Sequence, residues 1–298
     1  MLKLIKHYMK ATAKSREEGF VLIAVIWIAG LLAISATSFL SLTTSQIFLA
    51  RNVAESQMLE GAASGMATLA SYELAQSNST QKSPLWQNCV WNAEVTVSFR
   101  IQDQGGLVDL NTANPDLMLA LLSGLTRNPE RARKIYEEMQ DFKDPDQVAS
   151  TGGEEPEQYK EQSYGPKDAP FETPFELDQI PSIDDDEFVA LQNFVTVQSQ
   201  QSGLDLTLAP KKLEVLLKAG ITTGVDVQQF NIPSPARIYA IDAIARRKGG
   251  GAFQRRAVIN LLRQPEKPFA ILEWRRANSL SNDQEGPASI QPCFNARS

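Results

Sequence analysis

Between Gly19 and Ala50 the chain carries no Asp, Glu, Lys or Arg. The first part of that stretch, Phe20 to Ile34, is apolar on every side, so as a helix it needs lipid or other apolar helices around it. Roughly 20 such residues cross a bilayer, and the pattern sets a transmembrane segment over residues 20–41. No other stretch is long and apolar enough to span. Beyond Arg51 the pattern turns amphipathic. Met58, Ala62, Met66, Leu69 and Tyr72 recur every three or four residues, with Glu55, Gln57 and Glu60 elsewhere. Asn78-Ser-Thr and Pro84 stop the run. One helix is therefore expected over residues 20–76, its second half packed on a domain.

The period then changes to two. Val95, Val97, Phe99 and Ile101 alternate within a strand from Val90 to Ile101, and Asp103-Gln-Gly-Gly106 turns the chain. Near the C-terminus Ala236–Arg246 and Phe253–Leu262 form a hairpin about Gly249-Gly-Gly251, and Pro268–Arg276 is a further strand. This gives an α+β fold, with an antiparallel sheet of about four strands behind the long helix. The tail after Asn278 looks irregular.

Between the first strand and the last three lies helical sequence with an internal repeat. Val108–Leu125 aligns without gaps on Leu204–Ile221. Identical pairs are Asp109/Asp205, Leu110/Leu206, Ala113/Ala209, Leu117/Leu213, Leu121/Leu217 and Gly124/Gly220. In the first copy Asn114 caps a helix and Pro115 suits its first turn. Two related helical modules follow, the first reaching through Glu130–Phe142, the second drawing in a helix at Asp185–Phe194. Two copies are too few for a solenoid.

Charge and composition narrow the chemistry. The chain is 43% hydrophobic and 21% charged, with net charge −6. Residues 1–19 are basic, so the remainder is more acidic than the total. Such a surface repels phosphate backbones and suits protein partners or cations. The only histidine, His7, precedes the apolar run, which removes Ser-His-Asp and Cys-His catalysis and most zinc sites. Cys89 and Cys293 are too far apart for a CxxC motif.

The repeated element also resembles the helix-hairpin-helix of competence DNA receptors, whose glycine-rich hairpins offer N–H groups to phosphate. Here Ser123-Gly-Leu-Thr126 keeps one glycine. Ile180-Pro-Ser-Ile183 keeps none and runs into Asp184-Asp185-Asp186-Glu187. A membrane-anchored DNA-binding protein of competence type is thus the alternative reading, opposed by those carboxylates. Between the modules, residues 141–159 are rich in carboxylates. They read either as a solvated acidic loop or as a calcium site, with Asp144 and Asp146 about a proline turn and Glu154 and Glu155 after Gly152-Gly153.

The basic flank before Phe20 stays in the cytoplasm by the positive-inside rule. Gly19 stands before the apolar core rather than after it, unlike an ordinary signal peptide. The Gly19–Phe20 junction resembles the cleavage site of type IV prepilins and type II secretion pseudopilins. Further along come Asp109-Leu-Asn-Thr-Ala, Asp144-Pro-Asp with Gly-Gly-Glu-Glu155, and Ala169-Pro-Phe with Glu176-Leu. Phe194-Val-Thr-Val with Gly-Leu-Asp205, and Pro268-Phe-Ala-Ile-Leu-Glu-Trp274, complete the set. In this order they resemble the K-type minor pseudopilins of type II secretion systems (the GspK family).

The resemblance implies a pilin-like fold with a large α-helical insertion of two SAM/helix-hairpin-helix-like modules. A leader at residues 1–19 precedes the helix, residues 77–106 and 233–276 complete the core, the insertion covers 107–232 and the tail 277–298. It implies a non-enzymatic subunit of the inner membrane, with most of the chain in the periplasm, that acts at the pseudopilus tip in assembly, capping and protein export. Its partners are then the I-, J- and H-type minor pseudopilins, the major pseudopilin and the prepilin peptidase that cuts between Gly19 and Phe20, with no nucleic acid. Calcium is implied in the insertion, held by Asp144, Asp146, Glu154 and Glu155, with Asp141 beside them. In most pseudopilins the fifth residue after the cut is Glu, paired with a neighbour's N-terminal amine; here it is Ala24. In an oxidising periplasm Cys89 and Cys293 are expected to pair as a disulfide if the fold brings them together, with two free thiols as the competing reading.

Overall fold

The computed structural model describes residues 2–76, 86–145, 164–221, 226–262, 264–277 and 291–293, with side chains outside 2–19, 41–45, 291 and 292. Helix α1 runs from Leu2 to Gln76. It starts well before Phe20, because the Leu, Lys, Ala and Glu residues that precede the apolar run are themselves good helix formers. The chain divides into two compact units, residues 1–58 and 59–298. The first is α1 alone. Its stretch Phe20–Leu40 is long and apolar enough to cross a membrane, and none of it is buried within the protein.

The second unit begins with the last turns of α1. Leu59, Ala62, Ala63, Met66, Ala67, Ala70 and Leu74 are buried there, at the three- and four-residue spacing of one helical face. Small residues fill most of that face, so it lies to one side of the expected stripe. Met58 and Leu69 are half-buried, and Tyr72 is exposed, meeting Phe269 edge-on at 5.2 Å.

Six strands form one sheet: β1 (Gln87–Val90), β2 (Val95–Asp103), β5 (Ile238–Arg247), β6 (Ala252–Leu261), β7 (Phe269–Arg276) and β8 (Gln291–Pro292). Two more, β3 (Val108–Asp109) and β4 (Val195–Thr196), pair separately. The sheet order is β7-β6-β5-β2-β1-β8, antiparallel except where β8 lies parallel to β1. What reads in the sequence as one strand from Val90 is two. The Asn92 side-chain oxygen accepts the N–H groups of Glu94 and Val95 and turns the chain between β1 and β2. The tail likewise contributes β8. Arg255 of β6 reaches the helix, at 2.6 Å from Glu60 and 3.1 Å from Ser64.

The insertion holds α2 (Pro115–Thr126), α3 (Pro129–Lys143), α4 (Asp185–Leu191) and α5 (Lys211–Gly220). Asn114 and Asn128 cap α2 and α3, each followed by proline, and Asp184 with Glu187 forms a capping box on α4. The core between them is apolar, with Leu117, Leu121, Ile135, Met139, Phe142, Leu177, Leu213 and Leu217 almost fully buried. Strand β4, which follows α4, pairs with β3. Helix α4 therefore closes the first module rather than opening the second. The second module closes by itself, with Leu204 bridged in parallel to Asn231.

Candidate functional site

The repeat is visible in the contacts. Asp109 accepts the N–H groups of Asn111 and Thr112 on Oδ1, and on Oδ2 the Ser199 hydroxyl and the Gln200 N–H. Its counterpart Asp205 accepts from Thr207 on one oxygen and from the Ser234 N–H on the other. Each aspartate thus holds the turn into its module's helix and ties it to a returning segment. The two helices meet at their paired glycines. A Cβ on Gly124 would lie 2.0 Å from the Leu216 carbonyl oxygen, and one on Gly220 would lie 1.9 Å from that of Ala120. Ala120 and Leu216 occupy equivalent places in the two copies, so the contact is reciprocal.

The acidic loop leaves α3 at Asp144, and the chain is described again from Tyr164. Both ends are fastened together. The N–H groups of Lys167 and Asp168 donate to the Phe142 carbonyl, and the Phe142 and Phe171 rings stack at 5.0 Å. Asn111 clamps Phe171 by both its N–H and its carbonyl, and Lys167 pairs with Glu176 at 2.8 Å. The motifs Asp109-Leu-Asn, Ala169-Pro-Phe and Glu176-Leu therefore build the frame from which this loop springs.

At its mouth Asp141 is fully buried, and the Asp144 Oδ1 is buried without a hydrogen-bond partner. Burial pushes the Lys143 ammonium pKa down, against the Asp109 and Asp144 carboxylates that raise it. An unpartnered oxygen such as the Asp144 Oδ1 is what a hard cation seeks as a ligand. Asp146, Glu154 and Glu155 lie outside the described residues.

The hairpins use their own N–H groups. After α2 the Arg127 N–H donates to the Ser123 carbonyl and the Asn128 N–H to the Thr126 hydroxyl. At Ile180–Ile183 the Ser182 N–H and hydroxyl both go to Glu138, at 2.9 and 2.7 Å, and the Ile183 N–H goes to Ile180. Glu138 is buried, a role its place in a charged helix does not announce. Arg131 spans Asp184 and Glu187.

Gly19 and Phe20 lie within α1, with the Phe20 side chain exposed. Cys89 in β1 and Cys293 after β8 are joined by a disulfide, their Cα atoms 4.8 Å apart. Among the described residues no group of three or more His, Cys, Asp and Glu is placed to hold a metal.

The chain combines an N-terminal helix long and apolar enough to cross a membrane with an antiparallel sheet and helical modules set between its strands, a mixed α and β structure. Residues 100–200 match the family model described as type II secretion system protein K. No curated protein matches the chain significantly. Among solved structures, the chain resembles one from the complex of GspK, GspI and GspJ of the enterotoxigenic Escherichia coli type 2 secretion system. The TM-score is 0.58 at 16% identity, over 80% of this chain and 99% of that one. That likeness establishes the fold. Over residues 100–200 the chain is similar to the protein K family of type II secretion systems.

Proposed function

We propose that this chain is the tip subunit of a type II secretion pseudopilus, a structural part that primes or caps the filament rather than an enzyme. After cleavage between Gly19 and Phe20, α1 stays in the inner membrane and most of the chain lies in the periplasm. One observation carries the reading. The apolar stretch Phe20–Leu40 contains no carboxylate, and Ala24 stands where most pseudopilins have Glu. An unpaired carboxylate in lipid is costly, so a usual subunit gains by docking under a partner that neutralises it. Ala24 has no such need. The amine of Phe20 remains available to the Glu of a subunit below, an asymmetry that suits the top of a filament.

The partners are I- and J-type minor pseudopilins, as in the E. coli complex, together with the H-type and major pseudopilins and the prepilin peptidase. Ala24→Glu is expected to leave cleavage intact and secretion largely unharmed, while overproduction of the wild-type chain shortens or reduces pseudopili. Lengthened pseudopili carrying this chain along their whole length would overturn the reading.

Calcium at the acidic loop belongs to the same proposal. Asp144, Asp146, Glu154 and Glu155, with Asp141, would hold it, and the buried, unpartnered Asp144 oxygen supports the assignment. The Cys89–Cys293 bond would form in the oxidising periplasm, where the mass of non-reduced peptides reports it. The competence-type reading is weaker, because the Ile180–Ile183 hairpin turns its Ser182 N–H to a carboxylate, not outward to phosphate. Binding of duplex DNA by the protein at moderate salt would revive it.

A further inference from the structure

The two edges of the large sheet differ. On one side β8 lies beside β1 and is pinned there by the Cys89–Cys293 disulfide. On the other, β7 is the last strand in the order. None of its residues is buried, although the adjacent β6 is mostly buried.

The register fixes which backbone groups of β7 point away from β6. The Ala277 N–H donates to the Gln254 carbonyl, and the Leu262 N–H to that of Pro268. Antiparallel pairs alternate between bonded and non-bonded, so Trp274 and Arg276 turn their N–H and C=O groups outward. The bulge between Val258 and Ile259 shifts the alternation by one residue, and beyond it Phe269 and Ile271 face outward. Among the described residues, no group outside the sheet bonds to these four backbones.

The side chains of the same four residues lie on the face against which α1 packs. Phe269 meets Tyr72, and Arg255, which reaches Glu60 of α1, lies over the Trp274 ring. Ile271 stands opposite Ile259. Tyr72 is 48% exposed, Ile271 53% and Trp274 37%, an apolar stripe along an open edge. Arg276 is exposed and stacks over Phe253 at 5.1 Å, but it forms no ion pair among the described residues. Edges are commonly blunted by prolines and charges. Here Pro268 and the arginines stand only at the two ends of β7, with Ile271, Leu272 and Trp274 exposed between them.

We propose that β7 is a docking edge, at which an extended segment of a partner protein adds as a further antiparallel strand. Its apolar side chains lie against Ile271 and Trp274, and a carboxylate lies against Arg276. The unmet groups are a row of backbone donors and acceptors, which another extended backbone satisfies along its length. The stripe selects apolar residues at every second position of that strand, and the unpaired guanidinium selects an acid. On the opposite face Arg275 is already engaged by Glu273 and stacks on Phe175, so it offers no free charge. The edge is separate from Ala24 and from the acidic loop, and the assignment stands or falls apart from the filament-tip reading.

The test uses the full-length protein in detergent and follows backbone amide exchange by NMR. In the protein alone the Trp274 and Arg276 amides are expected to exchange freely, and those of Arg275 and Ala277 slowly. The probe is an acetylated, amidated eight-residue peptide of alternating threonine and valine, with one aspartate at its second position to meet Arg276. It should slow exchange at Ile271, Trp274 and Arg276 several-fold and saturably, while the same peptide methylated at every backbone nitrogen leaves it unchanged. Arg276→Glu should weaken the aspartate peptide a few-fold and favour one with lysine in its place. Slow exchange at Trp274 and Arg276 in the protein alone at every concentration would show the edge covered by the chain itself and overturn the proposal. Slowing that grows with protein concentration would assign the edge to a second copy instead. Equal binding of the methylated peptide, no change of preference in Arg276→Glu, or no binding of any peptide would each overturn it as well.

Discussion

Asp242 shows how much of this fold hangs on single side chains. It lies in β5 with no exposed surface, 2.9 Å from the Arg100 Nε on β2 and 3.3 Å from the Arg256 Nη1 on β6. Arg100 in turn lies over the Trp86 ring at 5.1 Å. Burial alone would raise the carboxyl pKa, but Arg256 and Arg100 more than offset it, so the group is held below its ordinary 3.8. A depressed carboxylate contributes stability above its unfolded value and loses it as pH falls through the folded one. The contribution is therefore complete at neutral pH and fades only in acid below about pH 4. Asp242→Ala leaves two partly buried guanidinium groups without their shared carboxylate and should cost about 3 kcal/mol, at the low end for a broken buried pair. Denaturant unfolding followed by tryptophan fluorescence measures this, and a loss under about 1 kcal/mol would show the ion pair to be a surface-like contact. The alternation of Ile238, Ala240 and Asp242 reveals a shared face in the sequence. The partners come from β2 and β6, and a strand's own pattern says nothing about what lies across the ladder.

At the scale of elements, the repeat is the part most legible in the sequence, because the same physical demands fall on both copies. Each needs an aspartate to turn the chain, leucines one helical face apart, and a glycine where the helices touch. Gly124 and Gly220 therefore recur for one reason, the approach of each helix to the other's backbone. Either residue changed to Ala should destabilise by at least about 1–3 kcal/mol, the usual cost of overpacking. The double variant should cost less than the sum, since both act on one contact. Gly165→Ala meets open space and serves as the near-neutral control. Equal melting temperatures for Gly124→Ala and Gly165→Ala would rule out the close contact.

What the repeat does not disclose is how each module closes. The similarity ends before the returning segments, so nothing in residues 185–194 says that β4 joins β3. The split of β1 from β2 is clearer in retrospect. Asn92 is a turn-former that bonds the N–H groups beyond it, but it sits inside an otherwise strand-like run.

On the scale of the whole molecule, the unit built from residues 59–298 is held together by contacts that close long stretches of chain. The disulfide joins positions separated by 204 residues, and the Phe142 carbonyl closes the base of the acidic loop. The sequence between Asp141 and Glu157 is rich in carboxylates and leaves a frame that is already fixed, and like charges brought together would repel. A calcium ion there would neutralise them, complete the Asp144 coordination and stabilise the native state by linkage, by about 2.7 kcal/mol at a hundred times its dissociation constant. The melting temperature of the full-length protein in detergent should accordingly rise when calcium replaces chelator. Magnesium, smaller and more reluctant to lose water, should raise it less. Asp144→Ala should remove most of the rise while changing the chelated melting temperature little, because the Asp144 Oδ1 has no hydrogen bond to lose. A melting temperature indifferent to calcium, or a rise of the same size in Asp144→Ala, would leave the loop as solvated acidic sequence fastened at its base.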